Sequence, residues 1–310
     1  IGMVNRDIII DEFHTMRSRK AKNQGAPFGS KQTENYSSVT YNNTLTYTPK
    51  INKDHRMDVM IGQEDVYRTF RYFSASSSKF PIDNFGIFDM SLGEEPGKPQ
   101  TNQEEERMLS FFGRINYQYM DRYLFTATMR TDGSSKFGKD NKWGYFPSVS
   151  AAWRASEEEF IINLDIFSNL KVRASYGAAG NNNIPRYRSL SLYTSDWVPM
   201  NNQAVPVYSG KMANPGLKWE TTYTANAGLD ISFFNHRLQA TLDLYNTRTV
   251  DLLLDAQIPY LTGYKSIFKN IGETKNKGIE FSITSYNIQK KDFTWTTSFN
   301  IAANKNKVVK

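Results

Sequence analysis

The sequence has no cysteine among its 310 residues. That removes disulfide frameworks, thiolate metal sites and cysteine nucleophiles together. Long apolar runs are missing as well, the longest aliphatic ones being three residues at positions 8–10 and 252–254. A spanning helix needs about 20, so no helical membrane protein is encoded. Histidine is scarce: His14, His55 and His236 lie far apart, each in or near a loop or turn, and none has an acidic residue at metal-ligand spacing. They read as surface residues, and no metal is expected. The net charge of +7 is spread along the chain. Without a basic stripe or a recognised motif there is no nucleic-acid footprint.

What is present is alternation. In residues 123–130, Tyr123, Phe125, Ala127 and Met129 alternate with Leu124, Thr126, Thr128 and Arg130. A period of two means an extended strand with one apolar and one mostly polar face. Residues 111–119 and 148–154 repeat the scheme, and only Met120, Asp121 and Arg122 separate the first two runs, which predicts an antiparallel hairpin. Strands are expected at 37–48, 57–62, 110–119, 123–130, 143–154, 170–177, 218–232, 237–247, 278–286 and 293–302, about ten in all, with a short one at 4–10. The basic patch of Arg17, Arg19, Lys20 and Lys22 reads as a solvated loop.

Two environments suit such strands. In a soluble sandwich the apolar face packs on a second sheet; in an outer-membrane barrel it meets lipid while the polar face lines a wet lumen. The links between strands favour the barrel, because short ones (49–56, 120–122, 233–236, 287–292) alternate with long ones (63–109, 178–217, 248–277). Links 131–142 and 155–169 are intermediate, the latter expected as a small helix capped by Ser156 and Glu159 ahead of Phe160, Ile161 and Leu164. Barrels carry short periplasmic turns and long outer loops. The run 218–232 keeps one parity from Trp219 through Tyr223 to Ile231, longer than the usual globular strand of about 6 residues. Aromatic residues make up 14% of the chain and many sit at strand ends, as interfacial girdles do. The expected fold is therefore all-β, a transmembrane antiparallel β-barrel, with residues 1–310 part of one barrel domain.

No catalytic constellation is readable. The acidic runs 104–106 and 157–159 look like solvated or helix-terminal charge, although a carboxylate pair could in principle cleave a glycosidic bond. The run 177–183 (GAAGNNN) lacks the Lys and Ser/Thr of a phosphate loop and reads as a turn out of a strand. Binding has more support. Tyr187, Tyr193, Trp197 and Tyr208 lie among Asn181–Asn183, Arg186, Arg188, Asp196, Asn201 and Asn202. Flat rings beside amides and charges can hold a sugar ring, while packing of the loop explains the same rings more simply.

Several segments together carry a resemblance: GRINYQYMDRYLFTATMRTDGSSKFG, WGYFPSVSAAWRASEEEF, NLKVRASYGAAGNNNI, NPGLKWETT, AGLDISFFNHRLQATLDLYNTRTVDLLL and NIGETKNKGIEFSI. The sequence resembles the SusC/RagA-like TonB-dependent outer-membrane transporters of Bacteroidetes from residue 37 to the end. The resemblance implies a barrel of about 22 strands, of which this chain holds a part, closed by an N-terminal plug. It also implies a SusD-like surface lipoprotein as partner, TonB engaged through an N-terminal segment, an oligosaccharide or peptide cargo and no cofactor. Function is then nutrient import, with a soluble glycan-binding β-sandwich as the alternative. The sequence reads as an excerpt, with open strand edges expected at 37–48 and 293–302. Links 131–142, 178–217 and 248–277 are expected at the cell surface, and 120–122 and 233–236 in the periplasm.

Overall fold

In a computed structural model of the 310-residue chain, residues 1–82, 87–197, 204–208 and 211–309 are described, the side chains of 193–197 and 204–208 excepted. The chain is built of strands: β1 (Gly2–His14), β2 (Phe28–Tyr47), β3 (His55–Ser78), β4 (Glu95–Pro96), β5 (Gln100–Tyr119), β6 (Tyr123–Ser134), β7 (Trp143–Arg154), β8 (Phe167–Asn181), β9 (Tyr193–Trp197), β10 (Ala204–Tyr208), β11 (Lys211–Met212), β12 (Glu220–Phe233), β13 (Leu238–Val250), β14 (Leu253–Gln257), β15 (Ser266–Asn270), β16 (Glu273–Lys290) and β17 (Phe293–Val308). Short helices α1 (Arg19–Gln24) and α2 (Glu159–Ile162) interrupt them. The expected all-β antiparallel architecture is present. The chain forms two compact units, one of Ile1–Asn42 and Glu64–Met108, the other of Asn43–Gln63 and Leu109–Lys310.

In the first unit β1 pairs with β2 from Gly2 opposite Thr40 to His14 opposite Phe28. The edge expected at 37–48 is thus paired by β1 as far as Thr40. The basic patch is not all loop. Ser18 Oγ accepts from the Ala21 amide at 3.1 Å and Gly25, at φ 78°, ends α1, so Arg19, Lys20 and Lys22 ride on a capped helix. The link expected at 63–109 is largely strand, since β3 runs to Ser78 and β5 begins at Gln100. Its charges, read as loop, are cross-strand partners: Arg107 Nε donates to Asp65 Oδ1 at 2.9 Å and Arg68 Nη1 to Glu106 Oε1 at 2.7 Å.

In the second unit the main sheet runs β2-β3-β5-β6-β7-β8-β12-β13-β16-β17, each strand beside its chain neighbour once β4, β9–β11, β14 and β15 are set aside. The predicted hairpin closes on a tight turn. Met120 and Asp121 are left-handed at φ 51° and 57°, and the Arg122 amide returns to Tyr119 O at 3.0 Å. Each such residue costs about 1–2 kcal/mol, which the long ladders on either side outweigh.

The registers connect into rows that cross seven strands. One row reads Tyr123, Trp153, Val172, Leu229, Leu242, Phe281, Ile301; the next on the same face reads Phe125, Ala151, Ala174, Ala227, Leu244, Ile279, Ala303. Between them, on the other face, runs Leu124, Ala152, Arg173, Gly228, Asp243, Glu280, Ala302. The apolar band also slopes across the rows. The row that begins Ala127, Val149, Tyr176, Ala225 ends on Asn246, Lys277 and Lys305, whereas β17 carries Ile301, Phe299, Trp295 and Phe293 at alternate positions broken only by Thr297. Hydrogen-bond rows lie across the strands, so a level band that climbs them obliquely means tilted strands, as barrels have.

Two local expectations fail and one shifts, for identifiable reasons. Trp219 does not continue the apolar face of 218–232; β12 starts at Glu220, and Trp219 turns away with 7% exposure. Strand β8 runs on through Asn181, so the turn out of the strand begins only at Asn182, where the Asn183 amide donates to Asn181 Oδ1 at 2.9 Å. Residue Ser156 does not cap α2, whose N-cap is Glu158 with no side-chain cap bond. The Glu158 carboxylate is committed elsewhere, accepting from Tyr123 Oη at 2.7 Å, Arg122 Nη1 at 3.0 Å and Trp153 Nε1 at 3.1 Å.

Candidate functional site

The polar face is a lattice of hydrogen-bonding groups. Arg173 of β8 donates from Nη2 to Asp243 Oδ2 at 2.7 Å and from Nε to Asp230 Oδ2 at 3.3 Å, while Lys171 Nζ lies 3.1 Å from Asp230 Oδ2. Asp243 is two strands away, and the guanidinium reaches it over Gly228, where a β-carbon would lie 2.4 Å from Arg173 Cζ. Above this, Thr222 pairs with Thr249 at 2.9 Å and Thr224 with Thr247 at 3.3 Å. On neighbouring strands Thr126 Oγ1 donates to Asn116 Oδ1 and Asn116 Nδ2 to Asp58. Half-buried ions and amides in this density suit a water-filled interior.

At the long-link end of the second unit the loops build an apolar core. Phe137, Phe146, Leu217 and Trp219 are 1%, 6%, 0% and 7% exposed. The Trp219 ring centroid is 5.2 Å from Phe137 and 5.4 Å from Phe146, edge-on to the latter, and its Nε1 donates to Lys142 O at 2.9 Å. Gly144 and Gly180 leave the space Phe146 fills, since a β-carbon on either would fall within 2.4 Å of the ring. Beside it β14, β15 and β11 form a small sheet. There Lys211 pairs with Asp255 and sits 5.0 Å over the Phe268 ring, with Arg188 at 5.9 Å from the same ring. Burial pushes the Asp255 carboxyl up, but hydrogen bonds from Lys211 and Ser266 and the Lys211 and Arg188 charges hold it below the usual range.

The four sequence-predicted binding residues fall in two places. Tyr187 is half-buried in a turn, left-handed at φ 63°, its carbonyl accepting from Leu190 N at 3.0 Å. The β9–β10 hairpin sets Tyr193 opposite Tyr208 and Trp197 opposite Ala204; the side chains of these three lie outside the described residues. Part of the amide cluster expected to face a ligand is used internally. Asn182 Nδ2 donates to Ser134 Oγ at 3.1 Å and Asn181 Nδ2 to Glu220 Oε1 at 3.0 Å. Sequence reasoning missed the Phe137–Phe146–Trp219 core. The signal was Gly144 and Gly180 inside otherwise regular strands, since a strand glycine often marks a close approach.

The other chemical candidates remain scattered. The ring Nδ1 of His55 is 2.6 Å from Tyr117 Oη, His14 lies 3.8 Å from Glu12, and His236 sits in the β12–β13 turn at φ 63°. Among the described residues no group of three or more His, Asp or Glu is placed to hold a metal. The acidic run 104–106 is strand rather than connection, Glu104 and Glu105 being engaged by Asn102 and Gln103 two residues away.

A tilted antiparallel sheet with one apolar face, a polar ionic face and long links at one end calls for comparison with barrel proteins. The family model described as TonB dependent receptor-like, beta-barrel, matches residues 11–308. The chain belongs to the TonB-dependent receptor family. It is 38% identical over 290 residues to TonB-dependent receptor P3 of Formosa agariphila, covering 92% of this chain and 29% of that protein. To TonB-dependent receptor SusC of Bacteroides thetaiotaomicron it is 42% identical over 209 residues, 66% of this chain and 21% of the relative. Among solved structures, a chain of the RagAB peptide transporter superposes with a TM-score of 0.91 at 27% identity, over 99% of this chain and 34% of that one. The resemblance to SusC and RagA-like receptors thus holds, and the TonB-dependent receptor chain described here spans about a third or less of the length of these relatives. By name these relatives are receptors and a transporter, not enzymes.

Proposed function

We propose that this chain is part of an outer-membrane barrel of a Gram-negative bacterium, and that the protein containing it imports nutrients with energy from TonB. The observation that carries the reading is the pair of adjacent row types. Leu244, Ile279, Phe299 and Ile301 remain 44–58% exposed on one face, and Arg173, Asp230 and Asp243 interlock on the other. A soluble sandwich would cover the first set with a second sheet. Lipid solvates it instead, and backbone groups in lipid must be paired within a closed sheet. Residues 1–310 are accordingly one part of a single barrel domain, crossing the membrane many times. The links 131–142, 178–217 and 248–277 lie at the cell surface, and 120–122 and 233–236 in the periplasm.

The cargo is an oligosaccharide or a peptide, delivered with a SusD-like surface lipoprotein. The names of the relatives support this, SusC and the RagAB peptide transporter among them, and so does the polar face. Cargo first meets the protein at the long-link end through Tyr187, Tyr193, Trp197 and Tyr208, and no chemistry is performed on it. In the full-length protein, Tyr187→Ala with Trp197→Ala should lower uptake several-fold at unchanged membrane level. Unchanged uptake would mean that these rings only pack the loops.

A further inference from the structure

We propose that the outward face of β13, β16 and β17, just beyond the apolar band, binds phosphorylated lipid head groups; this rests on the reading above that this face meets lipid. The register sets Lys277 directly opposite Lys305 and Lys275 directly opposite Lys307, with Arg248 flanking Lys275 on the other side. Residues so paired have β-carbons about 5 Å apart, and like charges there repel. Two successive like pairs therefore call for anions. Among the described residues one carboxylate stands with them, Glu273, which lies 2.7 Å from Arg248 Nη2 and 3.5 Å from Lys275 Nζ. Among the described residues, Lys277, Lys305 and Lys307 form no ion pair, and all are exposed. The protein elsewhere pairs its exposed strand charges, as Arg107–Asp65 and Arg68–Glu106 show.

Position selects the occupant. On the same face, one row before Lys277 and Lys305, stand Ile279 and Ala303, and Ile279 is 44% exposed. A step of two strand residues is about 7 Å, so the ammonium groups stand where acyl chains give way to head groups. Their flexible stems can lie along the apolar edge while the charges reach outward. Lysines serve as point charges for phosphate, and a phosphate oxygen set can bridge two ammonium groups that would otherwise repel. A soluble anion would not need the apolar continuation; a phosphorylated lipid uses both.

The test uses the full-length protein in detergent, stripped of lipid and titrated with diphosphoryl lipid A or its dephosphorylated form. The readout is the thermal midpoint. The diphosphoryl form should raise the wild-type midpoint by several degrees and the dephosphorylated form should not. In a K277S/K305S/K307S variant that response should vanish, while the lipid-free midpoint stays at or above wild type because the repulsion is gone. K277R/K305R should retain the response, and so should K20S/K22S on α1. A wild type indifferent to the phosphates, or a serine variant responding like wild type, would overturn the proposal. Heat-modifiable migration of the same samples reports the barrel itself. A wild type without that shift would overturn the barrel reading and this proposal together, whereas a shift without phosphate preference overturns this proposal alone.

Discussion

Two regions of the second unit use the same residue types in opposite ways. In the sheet, Leu244, Ile279, Phe299 and Ile301 are about half exposed; at the loop end, Phe137, Phe146, Leu217 and Trp219 are almost fully enclosed. A globular protein would bury its sheet and expose its loops. The inversion teaches where the solvent changes. On the proposed barrel reading, the loop end makes its own apolar interior because water surrounds it, and the sheet need not because hydrocarbon solvates its apolar face.

The sharpest way to break this comparison is to hollow out the enclosed region. Trp219→Ala removes the ring that touches Phe137 and Phe146 and the bond to Lys142 O. A truncation of this kind costs about 3–5 kcal/mol. Because the damage is confined to the loops, limited proteolysis of whole cells should cut within 131–142 or 178–217 far faster, while the sheet keeps its heat-modifiable migration. Equal loss of both would mean that sheet and loops fold as one cooperative core.

Next in size is a charge placed in the exposed region. Leu242→Arg sits in an apolar row and should destabilise refolding into vesicles by about 2–4 kcal/mol, whereas Thr241→Arg, one residue away on the polar face, should cost less than about 1 kcal/mol. Denaturant titrations of the two variants give the difference directly. Similar costs would remove the distinction between the faces.

The smallest effect concerns pH at the short-turn end. The Tyr123 hydroxyl first, then Trp153 Nε1, and the Arg122 charge hold the Glu158 carboxyl below the usual glutamate range. A lowered carboxyl contributes stability above its unfolded value and loses it as pH falls through the folded one. Acidification below the ordinary glutamate range should therefore loosen the 155–166 link, and Glu158→Gln should flatten that dependence. Hydrogen exchange of the link across this window would check it; the same slope in both proteins would show that Glu158 is not the titrating group.

Much of the sheet was legible because its signal is local. The pair period along 123–130 and 143–154 fixes both face and strand, and β7 has the expected bounds. The charged halves of β3 and β5 were not legible, because a charge looks like loop until its partner is known, and Asp65 and Arg107 are 42 residues apart. The same holds for Trp219, whose parity fits β12 although its partners lie far off in sequence, Phe137 in a distant link and Phe146 in β7. In the candidate site, Tyr193 and Tyr208 are paired by register although neither sequence nor period announced that hairpin. Asn181 and Asn182 tie the loops through Glu220 and Ser134, a use that sequence does not separate from binding a sugar because both need the same amide.

The central claim is that adjacent residues of one strand meet lipid and water in turn. Nitroxide labels at Leu244→Cys and Asp243→Cys of the refolded full-length protein test it most directly. Position 244 should relax strongly with oxygen and weakly with a water-soluble nickel chelate, and position 243 should do the reverse. Equal chelate access at both positions, or oxygen preference at 243, would contradict the account.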